Sequence, residues 1–535
     1  MFKTFPAAAA IVAVSAAAGG LFVKQGPSGG TTVQDKFDAR YRVYTAALAA
    51  IEQQYVEPVE MAPAVYGSID GLLRTLDPHS SFFTPEFYAQ MRERQEGKYP
   101  GIGVTIVSNG EDVTVTQLFE GSPAYKAGIR RGDVIAKVGT ESAKGWTTQQ
   151  VSAKIRGPKG TTVKVSIRRP GSDTLIELTV ARDEINITTV RAAFMLQPGT
   201  GYIRLADFSE TSDEEIHASL KKLQGQGLER LVLDLRDNPG GVLDAAIGIA
   251  SKFLKRGQMV VYTRGRIQNS DKDYPVVTAG ELPNVPLIVM VNRGSASASE
   301  IVTGAMQDHD RAIIVGEQTF GKALVQSVYR IANGAGLALT TGRYFTPSGR
   351  LIQRPWDAAF DDYSTYGLRE QTGQREHPAS ELKYTDGGRK VYGGGGIEPD
   401  HFMSGPVEGF NPSAATRQLY SRGMFVGFSE KFTAEGDDRP ANRRASNQRK
   451  VSRGFDITPA ILDEFKAYCA SQHVKVDDAA FKADEAFIKA MIHYEVDVDL
   501  FSMEEARRQL LKVDPQTAFA LGFFDEAKNL LASKK

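Results

Sequence analysis

Three short stretches carry residue types able to do acyl-transfer chemistry. The first is Val291-Asn292-Arg293-Gly294-Ser295-Ala296-Ser297-Ala298-Ser299-Glu300-Ile301. The apolar run Pro286 to Val291 before it predicts a buried strand, and Glu300 to Gln307 after it predicts an amphipathic helix. A hydroxyl at such a junction sits at a helix N-terminus, where unpaired backbone N–H groups and the helix dipole favour negative charge. An acyl-transfer nucleophile belongs there because its oxyanion needs such donors. A Ser-rich N-cap with no chemistry is the competing reading. The second stretch is Gly316-Glu317-Gln318-Thr319-Phe320-Gly321-Lys322-Ala323-Leu324-Val325-Gln326, which places Lys322 between a Gly-bearing turn and a strand-like run, Val325 to Arg330. The third is Leu231-Val232-Leu233-Asp234-Leu235-Arg236-Asp237-Asn238-Pro239-Gly240-Gly241, a buried strand running into paired glycines. Paired glycines after a strand allow close backbone approach to a ligand.

In this order and spacing the three stretches resemble the C-terminal processing peptidases, also called tail-specific proteases. In that family a Ser-Ala-Ser-Ala-Ser-Glu segment carries the nucleophile on its middle Ser. A Phe-Gly-Lys segment carries the general-base Lys, supported by a Gln four residues on. The resemblance therefore places these roles on Ser297, Lys322 and Gln326. It runs from about residue 40 to about residue 400 and includes a PDZ-like insert. The oxyanion donors it implies are the Ala298 N–H and one from Gly240 or Gly241, with the choice of glycine left open.

The chemistry constrains the surroundings. A lysine serves as a base only when neutral, and burial without a carboxylate partner lowers its pKa. Lys322 should then lie in a closed, mostly apolar site with its Nζ within reach of Ser297 Oγ. If Lys322 to Gln326 is extended, both side chains share a face, and the Gln carbonyl orients the amine without adding charge. A Ser-His-Asp triad is the rival. His309 and Asp310 lie at the far end of the helix that starts near Ser297, roughly 18 Å away at 1.5 Å per residue. His309 reads as a helix C-terminal residue, His217 as a solvated one and His79 as a loop or capping residue. Ser295 and Ser299 are the second-choice nucleophiles.

Several elements must position these groups. The expected fold class is α/β: a mainly parallel sheet core, with an inserted β-rich domain, N-terminal helices and a helical C-terminal extension. The resemblance makes the core Clp-protease/crotonase-like and the insert a PDZ domain. Residues 33–97 read as helical, with Tyr41, Tyr44, Leu48 and Ile51 on one face and Thr84 capping a short third helix. In the resembled family such segments often help dimerise the core, so a homodimer or higher oligomer is expected. Residues 98–183 alternate short strands with two small helices, and Asn109-Gly110 and Pro170-Gly171 mark hairpins. Gly101-Ile102-Gly103-Val104 resembles the carboxylate-binding loop of PDZ domains, whose successive N–H groups hold a peptide C-terminus. The helix Thr147 to Ile155 would form the other wall of that groove. Residues 184–402 alternate strand and helix, which implies parallel pairing. Ser212 and Glu215 read as a capping box, and Met259 to Tyr262 as a core strand. Residues 403–456 read as a linker, disordered over Asp437 to Arg453, and 457–535 as helical.

Composition excludes some functions. Lys+Arg and Asp+Glu are 64 each, so the formal net charge is zero and a general nucleic-acid partner is not expected. The single cysteine, Cys469, allows no intramolecular disulfide, and the seven histidines show no ligand spacing, so neither a metal nor a cofactor is expected. Lys3 and the Ala-rich apolar run Phe5 to Val23 read as a signal peptide or membrane anchor over residues 1–24, which places the protein in the periplasm or cell envelope. The function expected from the resemblance is an exported serine endopeptidase that takes protein C-termini in its PDZ groove and cleaves nearby by a Ser-Lys mechanism. The alternative is a non-catalytic PDZ adaptor on a peptidase-like scaffold.

Overall fold

The computed structural model describes residues 33–169, 174–268, 270–278, 280–282, 284–356, 360–369, 377–405, 412–434 and 451–532. The apolar N-terminal run, the Pro170-Gly171 turn and most of the 437–453 linker lie outside the described residues. Among the described residues no helix is long and apolar enough to cross a membrane.

The chain divides into two compact units, residues 1–75 and 76–535. The first contains the helices Val33–Gln54 and Met61–Arg74, joined by a hydrogen bond between Tyr44 OH and Ser68 Oγ. Tyr41, Tyr44 and Ile51, which share one face of the first helix, stay exposed. The third helix, Pro85–Glu96, belongs to the second unit and is capped by Thr84 as its sequence predicts.

A six-stranded sheet organises the second unit. Its order is Val190–Gln197, Thr200–Leu205, Arg230–Asp234, Leu287–Val291, Ile313–Gly316 and His401–Phe402. The first pair is antiparallel and every later pair is parallel. Side chains alternate between the two faces of a strand. Leu231, Leu233, Leu287, Val289, Val291 and Ile314 therefore face one core, shared with the helices Ser212–Gln224, Leu243–Ser251 and Ala298–Asp308. Val232, Ile288, Met290, Ile313 and Val315 face the other, where Leu511, Ala520, Phe524 and Ala527 cover them.

Four expectations need correction. Every residue of Ala298–Asp308 is buried, so this helix is central rather than amphipathic. Its polar positions are absorbed by internal partners, such as Arg350 on Asp308 and Gln307. The strand Met259–Gly265 joins not the parallel sheet but an antiparallel one, with Lys272–Pro275, Gly336–Phe345, Leu324–Arg330 and Ser81–Phe83. The Ser212–Glu215 capping box does not form: Thr211 is the N-cap, and Glu215 accepts from Thr189 N, Val190 N and Thr211 Oγ1. Residues 403–456 are not simply a linker, because the helices Ala414–Ser421 and Met424–Ala434 lie within them. Phe425, Phe428 and Phe432 recur at helical spacing and are buried against Phe465, Ile488 and Ile492.

The insert pairs Val104–Asn109, Asp112–Leu118, Val134–Val138, Thr162–Arg168 and Ile176–Ala181 as antiparallel neighbours around a core of its own. The C-terminal helices touch both other parts. Arg131 of the insert pairs with Glu495 at 2.6 Å, and the Glu430 carboxylate sits against Gly132. Burial, with Asp499 nearby, pushes Glu430 up to about 7. At the other end, Asp514 and Gln516 hold Arg236 at 2.9 and 2.7 Å. Arg236 in turn clamps the buried Asp234 at the end of its strand, six residues before Gly240.

Candidate active site

Ser297 stands between strand Leu287–Val291 and helix Ala298–Asp308, at φ +56° and ψ −113°. Residues with a Cβ rarely adopt this backbone, and it lifts the side chain out of the turn. Two neighbours hold it there. The Ser297 N–H donates to Glu300 Oε2 at 2.7 Å, and its carbonyl accepts from Tyr344 OH at 3.1 Å.

The same two side chains hold Lys322. Its N–H donates to Glu300 Oε2 at 2.9 Å, and its carbonyl accepts from Tyr344 OH. Glu300 Oε1 also accepts from Thr319 Oγ1 at 2.5 Å and Gly321 N at 2.7 Å. Glu300 is fully buried, and burial pushes its pKa up to about 7 against four donors that favour the anion. One carboxylate and one phenol thus bind both residues through their backbones. Neither residue was singled out from the sequence for this role. The Ser-x-x-Glu spacing of Ser297 and Glu300 was the available signal, since it is the spacing at which a carboxylate reaches back to an N-terminal amide. Tyr344 carried no such signal.

The amine of Lys322 donates to Gln326 Oε1 at 2.9 Å. Among the described residues no carboxylate lies within ion-pair distance of it. Burial lowers its pKa from the ordinary lysine value, while Glu300 and Asp77 pull the other way. The structure brings Lys322 and Gln326 together. It does not place Nζ within hydrogen-bond distance of Ser297 Oγ.

Of the paired glycines, Gly240 packs onto the turn at Ser297 and Gly241 onto Phe208. A Cβ on Gly240 would lie 2.7 Å from Ala298 N and 2.8 Å from Ser297 Cβ, and its φ is +93°. Only glycine permits that approach. The Gly240 N–H donates to Asn238 Oδ1 at 2.9 Å. Among the described residues the N–H groups of Gly241 and Ala298 have no acceptor.

The rivals are placed elsewhere. His309 caps the far end of the helix and bonds Asp386 and Met259 O, both at 2.7 Å. Asp310 is held by Arg389 at 2.5 Å. His217 is half-exposed beside Glu281. Ser295 donates to Leu235 O at 2.8 Å and Ser299 to Asn238 O at 2.9 Å, so both hydroxyls pin the glycine-bearing loop.

In the insert, Gly101, Ile102, Gly103 and Val104 line a groove whose other wall carries Ser152, Ile155 and Arg156 of the helix Thr148–Ile155 and its end. A Cβ on Gly103, at φ +85°, would lie 2.3 Å from Ser122 Cβ, so the loop needs glycine there. Arg156 stacks on Tyr99 at 4.7 Å and pairs with Glu93 of the helix Pro85–Glu96.

Comparison with known proteins identifies the two domains. Residues 199–356 match the model of peptidase family S41, and residues 114–169 match a PDZ domain. The carboxy-terminal-processing protease of Bartonella bacilliformis is 38% identical over 307 residues, covering 57% of this chain and 70% of that protein. The carboxyl-terminal-processing proteases of Picosynechococcus sp. and Synechocystis sp. are 39% and 36% identical over 303 and 311 residues, covering 56% and 57% of this chain and 72% of each relative. The chain belongs to peptidase family S41, among the carboxy-terminal-processing proteases. It is a serine-type peptidase with an α/β core, an inserted PDZ domain and a helical C-terminal part.

Proposed function

We propose that this peptidase is an exported endopeptidase that captures protein C-termini in the groove of residues 101–104 and cleaves nearby bonds with Ser297 as nucleophile and Lys322 as base. One observation carries the reading: Glu300 and Tyr344 fasten the backbones of both residues together, while the lysine amine meets a neutral amide and, among the described residues, no carboxylate at ion-pair distance. Gln326 orients the amine. Substrate binding swings Nζ to Ser297 Oγ and takes its proton as Oγ attacks the carbonyl carbon. The oxyanion forms against the Ala298 N–H and the Gly241 N–H; Gly240 supplies room, since its own N–H is committed to Asn238. Lys322 then returns the proton to the leaving amine, and water repeats the sequence on the acyl-enzyme.

The test uses the full chain and an unstructured polypeptide ending in a free carboxylate or in an amide. The free-carboxylate form should be cleaved at least about ten times faster, the value of one good charge-assisted contact. Ser297→Ala should cleave neither while still binding the free C-terminus. Equal cleavage of both forms removes the tail-capture step, and an active Ser297→Ala removes the nucleophile. A parent chain that binds tails but never cuts them would leave the adaptor reading.

Export rests on the run Phe5 to Val23, and a reporter active only outside the cytoplasm, fused after residue 32, reads it directly. Assembly rests on the exposed face of Tyr41, Tyr44 and Ile51. Sedimentation should show a dimer or larger particle that Tyr41→Glu dissociates; a monomeric parent chain rules assembly out.

A further inference from the structure

A turn from far upstream in the sequence reaches the lysine's helper. Gln326 has two different ends: its Oε1 accepts from Lys322 Nζ, and its Nε2 donates to the main-chain carbonyl of His79. An amide side chain has one acceptor end and one donor end. Reversed, Gln326 would present its N–H groups to the amine and its oxygen to another oxygen. The His79 carbonyl therefore selects the orientation in which Gln326 can receive the amine.

Asp77 builds the turn that aims this carbonyl. Its Oδ1 accepts from the N–H groups of His79 and Ser80, both at 2.8 Å, and its Oδ2 from Ser80 Oγ at 2.7 Å. Ser80 Oγ accepts in turn from Thr340 N at 3.1 Å. Thr340 lies on strand Gly336–Phe345, opposite Gln326 itself, and the same strand pairs Ala338 with Ser81. The turn and the glutamine are thus referenced to a single strand. The His79 ring packs edge-on against Tyr363 and bonds its hydroxyl, and burial holds the imidazole neutral, at about 4. The turn brings the amine no second cation.

We propose that Asp77 is a positioning residue for the base: it fixes the His79 carbonyl that decides which way round Gln326 faces Lys322. The proposal rests on the Ser297–Lys322 reading above. Asp77 also places a negative charge close enough to the amine to favour its protonated form.

The experiment is a pH profile of kcat and KM for the full chain on an internally quenched, unstructured peptide with a free C-terminal carboxylate. Asp77→Asn should lower the plateau of kcat about tenfold, equivalent to about 1.4 kcal/mol of barrier, with KM within about twofold. Its rising limb should also move to lower pH, because a negative charge has left the neighbourhood of the amine; a purely structural loss would not move that limb. Ser80→Ala, which loosens the turn without changing charge, should lower the plateau and leave the limb in place. An Asp77→Asn chain with the parental limb and plateau overturns the proposal. Should Asp77→Asn fail to fold, a Ser80→Ala kcat within twofold of the parent overturns it. Ser297→Ala and Lys322→Ala serve as references. If they remain active, the Ser–Lys reading itself is wrong and this proposal falls with it; if they are inert, the Asp77 and Ser80 results judge the proposal alone.

Discussion

Lys322→Arg should abolish peptide hydrolysis at every accessible pH, as completely as Lys322→Ala. The loss expected is the contribution of a general base, about 10²- to 10⁴-fold in kcat. Arginine keeps the positive charge and most of the length, so it preserves every feature of the residue except the ability to become neutral. Lysine can lose its proton here because burial penalises the ammonium and its hydrogen bond goes to the uncharged Gln326. The parent activity should accordingly rise with pH and level off below the ordinary lysine range. The sign follows from the required form: below its lowered pKa Lys322 is protonated and idle, above it the amine is free to take the Ser297 proton. An arginine variant that still cuts would remove Lys322 from the mechanism.

Glu300→Ala should be the most damaging single change at the site that touches neither reacting group. It strips the acceptor from three backbone N–H groups, those of Ser297, Gly321 and Lys322, and from the Thr319 hydroxyl. Leaving a buried donor without an acceptor costs about 1–3 kcal/mol, and several are left here, a large share of the stability of an ordinary protein. Activity should vanish with it, because Ser297 and Lys322 lose their shared tether. Glu300→Gln should rescue little. A carboxamide offers one acceptor end and one donor end to a pocket that presents only donors. Calorimetry and cleavage of the same preparations measure both effects. An alanine variant that melts within about 2 °C of the parent and cuts normally would refute the tether.

Much of this site was legible in the sequence, and the reasons differ by residue. Ser297 could be placed because an apolar strand, small residues and a helix follow one another along the chain. Lys322 and Gln326 could be paired because four residues of near-extended chain keep two side chains within reach; the strand itself starts only at Leu324 and shifts register between Val325 and Gln326, which the sequence did not show. Gly240 and Gly241 were recognised as a pair, but dividing their work needed the bond from Gly240 N–H to Asn238, which depends on how the loop folds back. Tyr344 escaped notice because its partners, the Ser297 and Lys322 carbonyls, lie far along the chain; Asp77 builds its turn locally on His79 and Ser80, but the contact of that turn with Gln326 crosses most of the chain. The parallel sheet was evident from its apolar runs. The membership of Met259–Gly265 was not, since a short apolar strand looks alike in either sheet. The all-round burial of helix Ala298–Asp308 was hidden by its polar residues, which are satisfied by groups such as Arg350 and Ser348 from later in the sequence.

The covering of the sheet has a bearing on biogenesis. Ribosomes deliver the chain from its N-terminal end, so the strands that carry the reacting groups emerge well before Leu511, Ala520, Phe524 and Ala527 arrive to shield their second face. Arg236, which leads into the glycine-bearing loop, likewise waits for Asp514 and Gln516. A nascent peptidase of this build carries a half-clad sheet and an unbraced loop until its closing helices dock.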